Sequence, residues 1–182
     1  LLYYRNNLVS LINLLELMPK HNVGGIIFSS SCTVYGQPDV LPVTEAAPIK
    51  KAESPYGNTK QVNEEIVRDT IASGAPINAI LLRYFNPIGA HPSALIGELP
   101  NGVPQNLVPY VTQTAMGIRE KLSVFGDDYD TPDGSCIRDY IYVVDLAKAH
   151  VIAMKRILEG KQKDKVEVFN LGTGRGLSVL EL

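Results

Sequence analysis

The sequence has few cysteines, few histidines and no excess of either charge, and each shortage excludes a class of protein. Cys32 and Cys136 form neither a CxxC pair nor a disulfide framework, which favours free thiols in a reducing compartment and predicts a cytoplasmic location. The three histidines are scattered without metal-ligand spacing, so no metal site is predicted. A net charge of −2 argues against a nucleic-acid or anionic-membrane surface, and no apolar run is long enough to span a bilayer.

The composition is that of an ordinary globular protein with a sizeable core. Of the 182 residues, 45% are hydrophobic and 20% are charged. The chain opens without a start signal, and near its end Ser178 and Glu181 have the S-x-x-E spacing of a helix capping box with no helix behind it. These features predict a fragment that is truncated at both ends of a longer protein.

Strand-like and helix-like segments alternate along the chain. Ser54 and Pro55 are a good N-cap and first residue for a helix to about residue 73, and Asp145 is the predicted cap of a later helix. The other predicted segments are a helix at 7–18 and strands at 24–31, 78–86 and 166–172. Short apolar runs that alternate with helices predict an α/β fold, a Rossmann-like doubly wound parallel sheet.

The chain divides into three predicted parts. Residues 1–86 and 140–182 have the alternating pattern and are assigned to the sheet, with the start of a further C-terminal region near the end. Residues 87–139 are rich in proline and glycine and are too long for a simple connection between a strand and a helix. We expect this middle part to form mainly a smaller, substrate-binding lobe.

A tyrosine and a lysine four residues apart stand in the stretch SPYGNTK, at residues 54–60. The spacing alone is weak evidence, because Tyr56 and Lys60 could equally be a solvated pair on one helix face. The context strengthens the pair, since three serines at 29–31 end one predicted strand and Asn86 ends the next. Ligands of open α/β sheets bind beyond the carboxyl ends of the strands, where the helix with Tyr56 could place its first turns.

Ser31, Tyr56 and Lys60 match the serine, tyrosine and lysine triad of the extended short-chain dehydrogenase/reductase family, which this sequence resembles. The stretches FSSSCTVYG, LLRYFNPIGAH, PQNLVPYV and VFGDDYDTPDGSCIRDYI resemble its branch that acts on UDP-hexoses. The resemblance covers nearly the whole chain in order. It implies NAD-dependent inversion at C4 of a UDP-hexose through a transient 4-keto sugar, and it makes residues 1–86 the second part of the NAD-binding domain.

In the family's chemistry Tyr56 would be the base, Ser31 would orient the reacting oxygen, and Lys60 would lower the pKa of Tyr56 and hold the nicotinamide ribose. Lowering the pKa of a tyrosine from about 10 to near 7 requires roughly 4 kcal/mol in favour of the phenolate. One positive charge at about 5 Å supplies roughly 3 kcal/mol at an effective dielectric constant near 20. We therefore expect Lys60 and the cofactor cation together to suffice.

The resemblance also implies the binding residues. Those assigned to the cofactor NAD are Asn6, Ser31, Tyr56, Lys60 and Phe85. Those assigned to the UDP-sugar are Tyr84, Phe85, Asn86, Asn106, Leu107, Val124, Phe125 and Arg138. Arg138 is the expected clamp on the diphosphate, although it could instead pair with a nearby aspartate, and Val124 and Phe125 could instead be core residues.

The glycine-rich loop that holds the NAD pyrophosphate in the family is absent from the sequence. The stretch LGTGRG at 171–176 has the wrong glycine spacing for it and is interpreted as a structural turn. The family also implies a homodimer formed by pairing the helix after Pro55 with the one at 7–18.

Three alternatives stay open. A 4,6-dehydratase or decarboxylase would need an added acid near Ser31, and SSSCTVY has none. A non-catalytic NAD-binding relative would be expected to lack the tyrosine. A relative that epimerises N-acetylated UDP-hexosamines stays open.

Overall fold

The computed structural model describes residues 1–182, which form two compact units. The first unit comprises Leu1–Phe85 and Lys148–Leu171, and the second comprises Asn86–Ala147 and Gly172–Leu182. The helices are α1 (Leu2–Leu17), α2 (Pro55–Ala72), α3 (Leu107–Ala115) and α4 (Val143–Leu158). The strands are β1 (Gly25–Ser31), β2 (Asn78–Tyr84), β3 (Asn86–Ile88), β4 (Ile137–Tyr142), β5 (Val166–Leu171) and β6 (Gly176–Ser178).

The first unit is built on a parallel sheet with the strand order β1-β2-β5. The central strand β2 is buried on both faces, because successive side chains point to opposite sides of the sheet. Ala79 and Leu81 pack in a cluster with residues of α1 and α2, whereas Ile80 and Leu82 pack with Ala153 of α4. Helices on both faces of a parallel sheet confirm the predicted Rossmann-like, doubly wound fold.

The start of one helix agrees with the prediction from local sequence signals, and the starts of two others do not. The Ser54 hydroxyl accepts a hydrogen bond from the N–H of Gly57 at 3.0 Å, and Pro55 begins α2, as predicted. Helix α1 begins at Leu2, five residues before the predicted start. The prediction that Asp145 caps α4 is wrong, because β4 leads directly into a helix that begins at Val143 and Asp145 lies in its first turn.

The second unit has its own small sheet. Strand β4 pairs in parallel with β3 and antiparallel with β6, and α3 lies within residues 87–139, for which no helix is predicted. The predicted boundary at residue 140 differs from the structure, since it falls inside β4. The chain returns to the first unit at Lys148.

The S-x-x-E box forms in full, without a helix. The Glu181 N–H donates to the Ser178 hydroxyl at 3.1 Å, and the Ser178 N–H donates to the Glu181 carboxylate at 2.8 Å. The two reciprocal bonds satisfy backbone groups that a capping box normally satisfies at a helix start. None of the helices in the chain combines the length and the apolar character needed to cross a membrane.

Candidate active site

The triad residues meet in the first unit, where β1 ends and α2 begins. Ser31 is the last residue of β1 and is 6% exposed. Its hydroxyl accepts hydrogen bonds from the N–H of Thr33 at 3.2 Å and from the Thr33 hydroxyl at 3.0 Å. The Ser31 hydroxyl also lowers the pKa of the Tyr56 phenol, which lies in the first turn of α2. The strand end and the helix start therefore place two of the three predicted residues close enough to influence one another.

Lys60 lies one helical turn after Tyr56 and its ammonium group is held in place. Its Nζ donates to the carbonyl oxygen of Ser29 at 2.8 Å and lies 5.1 Å from the centroid of the Phe28 ring. The same nitrogen is 5.5 Å from the centroid of the Tyr56 ring. Partial burial lowers the pKa of Lys60. The ammonium is thus near the phenol, but its hydrogen bond goes to the backbone of β1.

The pKa of Tyr56 is raised above its ordinary value of 10.0, which is opposite to the expected direction. Burial is the largest cause, the neighbouring Tyr84 adds to it, and the hydrogen bond with Ser31 opposes it. In the chain by itself the effect of burial dominates, and the lowering expected from Lys60 and the cofactor cation together stays a prediction. The reason that burial dominates is geometric, because Lys60 is directed to Ser29 while the phenol is half-buried.

Helix α1 supports the first turns of α2 through a set of amide contacts. The Asn7 side chain donates to the Thr59 hydroxyl at 2.9 Å, and the main-chain carbonyl oxygen of Asn7 accepts from the Asn63 side-chain amide at 3.2 Å. The Asn58 amide donates to the Tyr4 hydroxyl at 2.8 Å. Sequence reasoning did not identify this role of Asn7, while Asn6 is exposed and its predicted contact with NAD stays a prediction. The adjacent asparagines gave no signal that separates them, since only the helix rotation decides which one faces α2.

Tyr84 and Phe85 follow one another at the end of β2. The Tyr84 ring lies 6.4 Å from the His150 ring, between centroids, and the Phe85 N–H donates to the carbonyl oxygen of Leu171 at 3.1 Å. Both side chains are half-buried. They lie in the same unit as the triad, at the carboxyl end of the neighbouring strand. Their assigned roles toward cofactor and substrate stay predictions.

The other predicted substrate residues meet in one cavity of the second unit. This cavity has a volume of about 340 Å³ and is called the second-unit cleft below. Its lining includes all six residues predicted there, namely Asn86, Asn106, Leu107, Val124, Phe125 and Arg138. These residues are spread over 53 positions of the sequence, so the fold brings them together. The cleft combines an arginine, two amides and an aromatic ring, which suits an anionic ligand with a planar group.

The details of the cleft decide two alternatives. The Arg138 guanidinium donates to the carbonyl oxygen of Ile137 at 2.8 Å and not to an aspartate, so the ion-pair interpretation is wrong. Phe125 is 85% exposed and Val124 is 42% exposed, so the core interpretation is also wrong. Asn86 donates to the carbonyl oxygen of Asp139 at 3.2 Å, and Asn106 donates to Glu98 at 2.8 Å.

The backbone N–H groups of the LGTGRG stretch form hydrogen bonds to a carboxylate of the same chain. The N–H groups of Thr173 and Gly174 donate to the two carboxylate oxygens of Asp139 at 2.9–3.0 Å. A turn whose N–H groups already bind an internal carboxylate is a structural turn, as predicted. No group of three or more His, Cys, Asp or Glu side chains is arranged to hold a metal ion.

A serine at the carboxyl end of a parallel strand, with a tyrosine and a lysine one turn apart on the following helix, is the arrangement expected from the resemblance to the extended short-chain dehydrogenase/reductase family. The model of the NAD dependent epimerase/dehydratase family matches residues 1–172, and the chain belongs to that family. The resemblance inferred from the motifs is thereby confirmed.

The relatives within that family include UDP-glucose 4-epimerases. The chain is 55% identical over 180 residues to one from Dictyostelium discoideum, covering 99% of this chain and 52% of the relative. It is 53% identical to the human one, covering 99% of this chain and 51% of the relative. The crystal structure of the Bifidobacterium longum enzyme in complex with NAD⁺ and UDP matches with a TM-score of 0.91 at 54% identity, over 98% of this chain and 52% of that one. The chain spans about half the length of the curated relatives it matches.

Proposed function

We propose that the chain is part of an NAD-dependent enzyme that inverts C4 of UDP-hexoses, interconverting UDP-glucose and UDP-galactose. The observation that supports this most is the second-unit cleft. Its six predicted residues come from separated stretches and line one cavity, in a chain 53–55% identical to UDP-glucose 4-epimerases. The first unit contributes Ser31, Tyr56 and Lys60 for the chemistry.

The residues of the first unit fit NAD as the cofactor. The pKa of Tyr56 is raised in the chain alone, mainly by burial, so the phenol needs a further positive charge to act as a base near neutral pH. A cationic nicotinamide ring would supply that charge. We assign Lys60 and Tyr56 to the ribose hydroxyls, since both are polar, half-buried and one turn apart, and Asn6 and Phe85 to further contacts. NAD⁺, when bound, accepts the C4 hydride and returns it.

The chain's own residues move and hold the proton at O4 of the sugar. The phenolate oxygen of Tyr56 takes the O4 proton, so an O–H bond breaks on the sugar and one forms on the tyrosine. C4 becomes the carbon of a ketone, and the same proton returns to O4 when hydride is delivered to the other face of C4. Ser31 hydrogen-bonds O4 and orients it, while Thr33 donates to Ser31 and fixes that hydroxyl. No net oxidation results.

The second-unit cleft would bind the UDP part of the substrate. Arg138 would donate to the diphosphate, because a guanidinium matches pairs of phosphate oxygens. The exposed Phe125 and Val124 would flank the uracil, and the amides of Asn106 and Asn86 would hydrogen-bond polar groups of the ligand, with Leu107 beside them. We assign Tyr84 and Phe85 of the first unit to the sugar.

A dehydratase is disfavoured by the surroundings of the triad. Elimination of water needs an acid beside the serine, and the buried carboxylate of Glu64 is already bound by Arg83 and Ser30. Acceptance of N-acetylated UDP-hexosamines is an outcome of the assay below. A homodimer through α1 and α2 and a cytoplasmic location stay predictions.

The test is expression of the full-length protein and measurement of UDP-galactose conversion to UDP-glucose, with UDP-N-acetylgalactosamine as a second substrate. Tyr56→Phe removes the base and should lower kcat by about 10²–10⁴-fold. Tyr142→Phe is the matched control, because it also removes one hydroxyl, here bonded to the carbonyl oxygen of Ala90 at 2.8 Å. A loss below about tenfold in Tyr56→Phe removes Tyr56 as the base.

A further inference from the structure

A buried ion pair joins helix α2 to the sheet beside the triad. The Arg83 guanidinium donates to both carboxylate oxygens of Glu64, at 2.9 and 2.5 Å. Each residue is 4% exposed. Glu64 also accepts from the Ser30 hydroxyl at 2.5 Å, and Arg68 lies 3.7 Å from it on the same helix. A bidentate pair with this third hydrogen bond has one geometry, so it defines where the helix sits.

The pair is connected at three points to the residues of the proposed chemistry. Glu64 lies one turn after Lys60 and two turns after Tyr56, on the same side of α2. Ser30 directly precedes Ser31 in β1, and Arg83 directly precedes Tyr84 in β2. The Glu64 carboxylate therefore binds the residues that directly precede Ser31 and Tyr84. Both Ser31 and Tyr84 affect the pKa of Tyr56, which Ser31 lowers and Tyr84 raises.

The network extends past Arg83 to the third strand. The third guanidinium nitrogen, Nη1, donates to the Tyr35 hydroxyl at 2.9 Å, and that hydroxyl donates to the Asn170 side chain at 2.7 Å. Tyr35 is 1% exposed and ends the turn that Ser31 begins. This network of hydrogen bonds thus connects α2 to β1, β2 and β5, and it fixes the rotation and the axial position of the helix. Packing of apolar side chains alone would leave more freedom to slide, because it is not directional.

We propose that Glu64 and Arg83 are positioning residues, which hold α2 so that Tyr56 and Lys60 keep their register with Ser31. The pair acts through the helix and touches neither substrate nor cofactor. Buried ion pairs add little to stability compared with well-packed apolar residues of similar volume, so a positional role explains this pair better than a stabilising one. This inference rests on the proposed function, but one of its tests does not need turnover.

The experiment compares three variants of the full-length enzyme. Glu64→Gln weakens the pair while keeping the shape of the side chain. Glu64→Leu with Arg83→Met replaces the pair by apolar residues and keeps the net charge. Glu167→Gln is the matched control, since it weakens in the same way a second bidentate glutamate–arginine pair of the first unit, with Arg156 at 2.6 and 2.7 Å, far along the chain from the triad.

We expect kcat to fall about 10- to 100-fold in Glu64→Gln, with KM for the UDP-sugar within about threefold, because small misplacements of reacting groups have effects of this size. The double variant should regain the wild-type free energy of unfolding in urea without regaining kcat. Glu167→Gln should keep kcat within about threefold. The proposal is overturned if kcat follows stability through the series, or if Glu64→Gln keeps its kcat.

A spectroscopic measurement tests the positioning role independently of the proposed function. The phenolate absorbance of Tyr56 is taken as the difference between each protein and its Tyr56→Phe counterpart during a pH titration. We expect the midpoint in the double variant to differ from the wild type by about half a pH unit or more, because burial and the Ser31 bond both change. If the wild-type enzyme converts no UDP-hexose, the proposed function fails, and an unchanged midpoint still overturns the positioning role.

Discussion

Replacing Arg138 by methionine should weaken binding of UDP without weakening binding of uridine. The Arg138 side chain is exposed and makes one hydrogen bond, to the carbonyl oxygen of Ile137. A guanidinium has five N–H donors, so four are available for a ligand. Two charge-assisted hydrogen bonds to a diphosphate, partly open to solvent, should contribute together about 2–3 kcal/mol. That corresponds to an increase in Kd for UDP of about 30- to 150-fold.

The assay is isothermal titration of the full-length protein with UDP and with uridine. Arg138→Met keeps much of the apolar stem, so the change reports the charged head of the side chain. Phe125→Ala is the companion variant, because an exposed ring that flanks the base should matter for both ligands. The loss for UDP in Arg138→Met should shrink as salt is raised. Equal losses for UDP and uridine in Arg138→Met would refute the assignment of Arg138 to the diphosphate.

Two further predictions follow from pKa and packing. The raised pKa of Tyr56 means that the folded protein binds this proton more tightly than the unfolded chain. The resulting stability is fully present below pH 10 and is lost as pH rises through the pKa of Tyr56 in the folded protein. In urea titrations, Tyr56→Phe should therefore flatten the decline in the free energy of unfolding above pH 10. An identical decline in the variant and the wild type would contradict the raised pKa. Leu81→Ala should lower the free energy of unfolding by about 2–5 kcal/mol, because Leu81 is 0% exposed in the cluster between β2 and the helices α1 and α2. Thr114→Val, at a half-buried position of α3, is its control, and a loss under about 1 kcal/mol for Leu81→Ala would be inconsistent with this packing.

Much of the fold could be predicted because its signals are local. The apolar runs before Ser31 and Tyr84, and the Ser54–Pro55 start of α2, depend on residues close together in the chain. The start of α1 and the start of α4 were not predicted correctly. Neither has a side-chain signal at its first residue, since α1 begins without a side-chain cap and α4 follows directly from β4.

The candidate site was predicted unevenly. The triad and the cleft residues came from short motifs, and the structure brings Ser31 and Tyr56 together and the six cleft residues around one cavity. Asn7 and the Glu64–Arg83 pair were missed. For Arg83 a signal was present, because a charged residue inside the apolar run AILLRYF requires a buried partner. Its partner lies 19 residues earlier, and no local pattern identifies it.

The sequence by itself determined the parallel α/β architecture, the capped start of α2 and the identity of the residues at the end of β1. These follow from side-chain periodicity and hydrogen bonds within a few residues, which operate wherever that stretch of chain folds. Only the tertiary structure decided the direction of the Tyr56 pKa and the partner of Arg83. Both depend on burial and on charges that approach through space from other elements, and such distances are set by the packing of the whole unit.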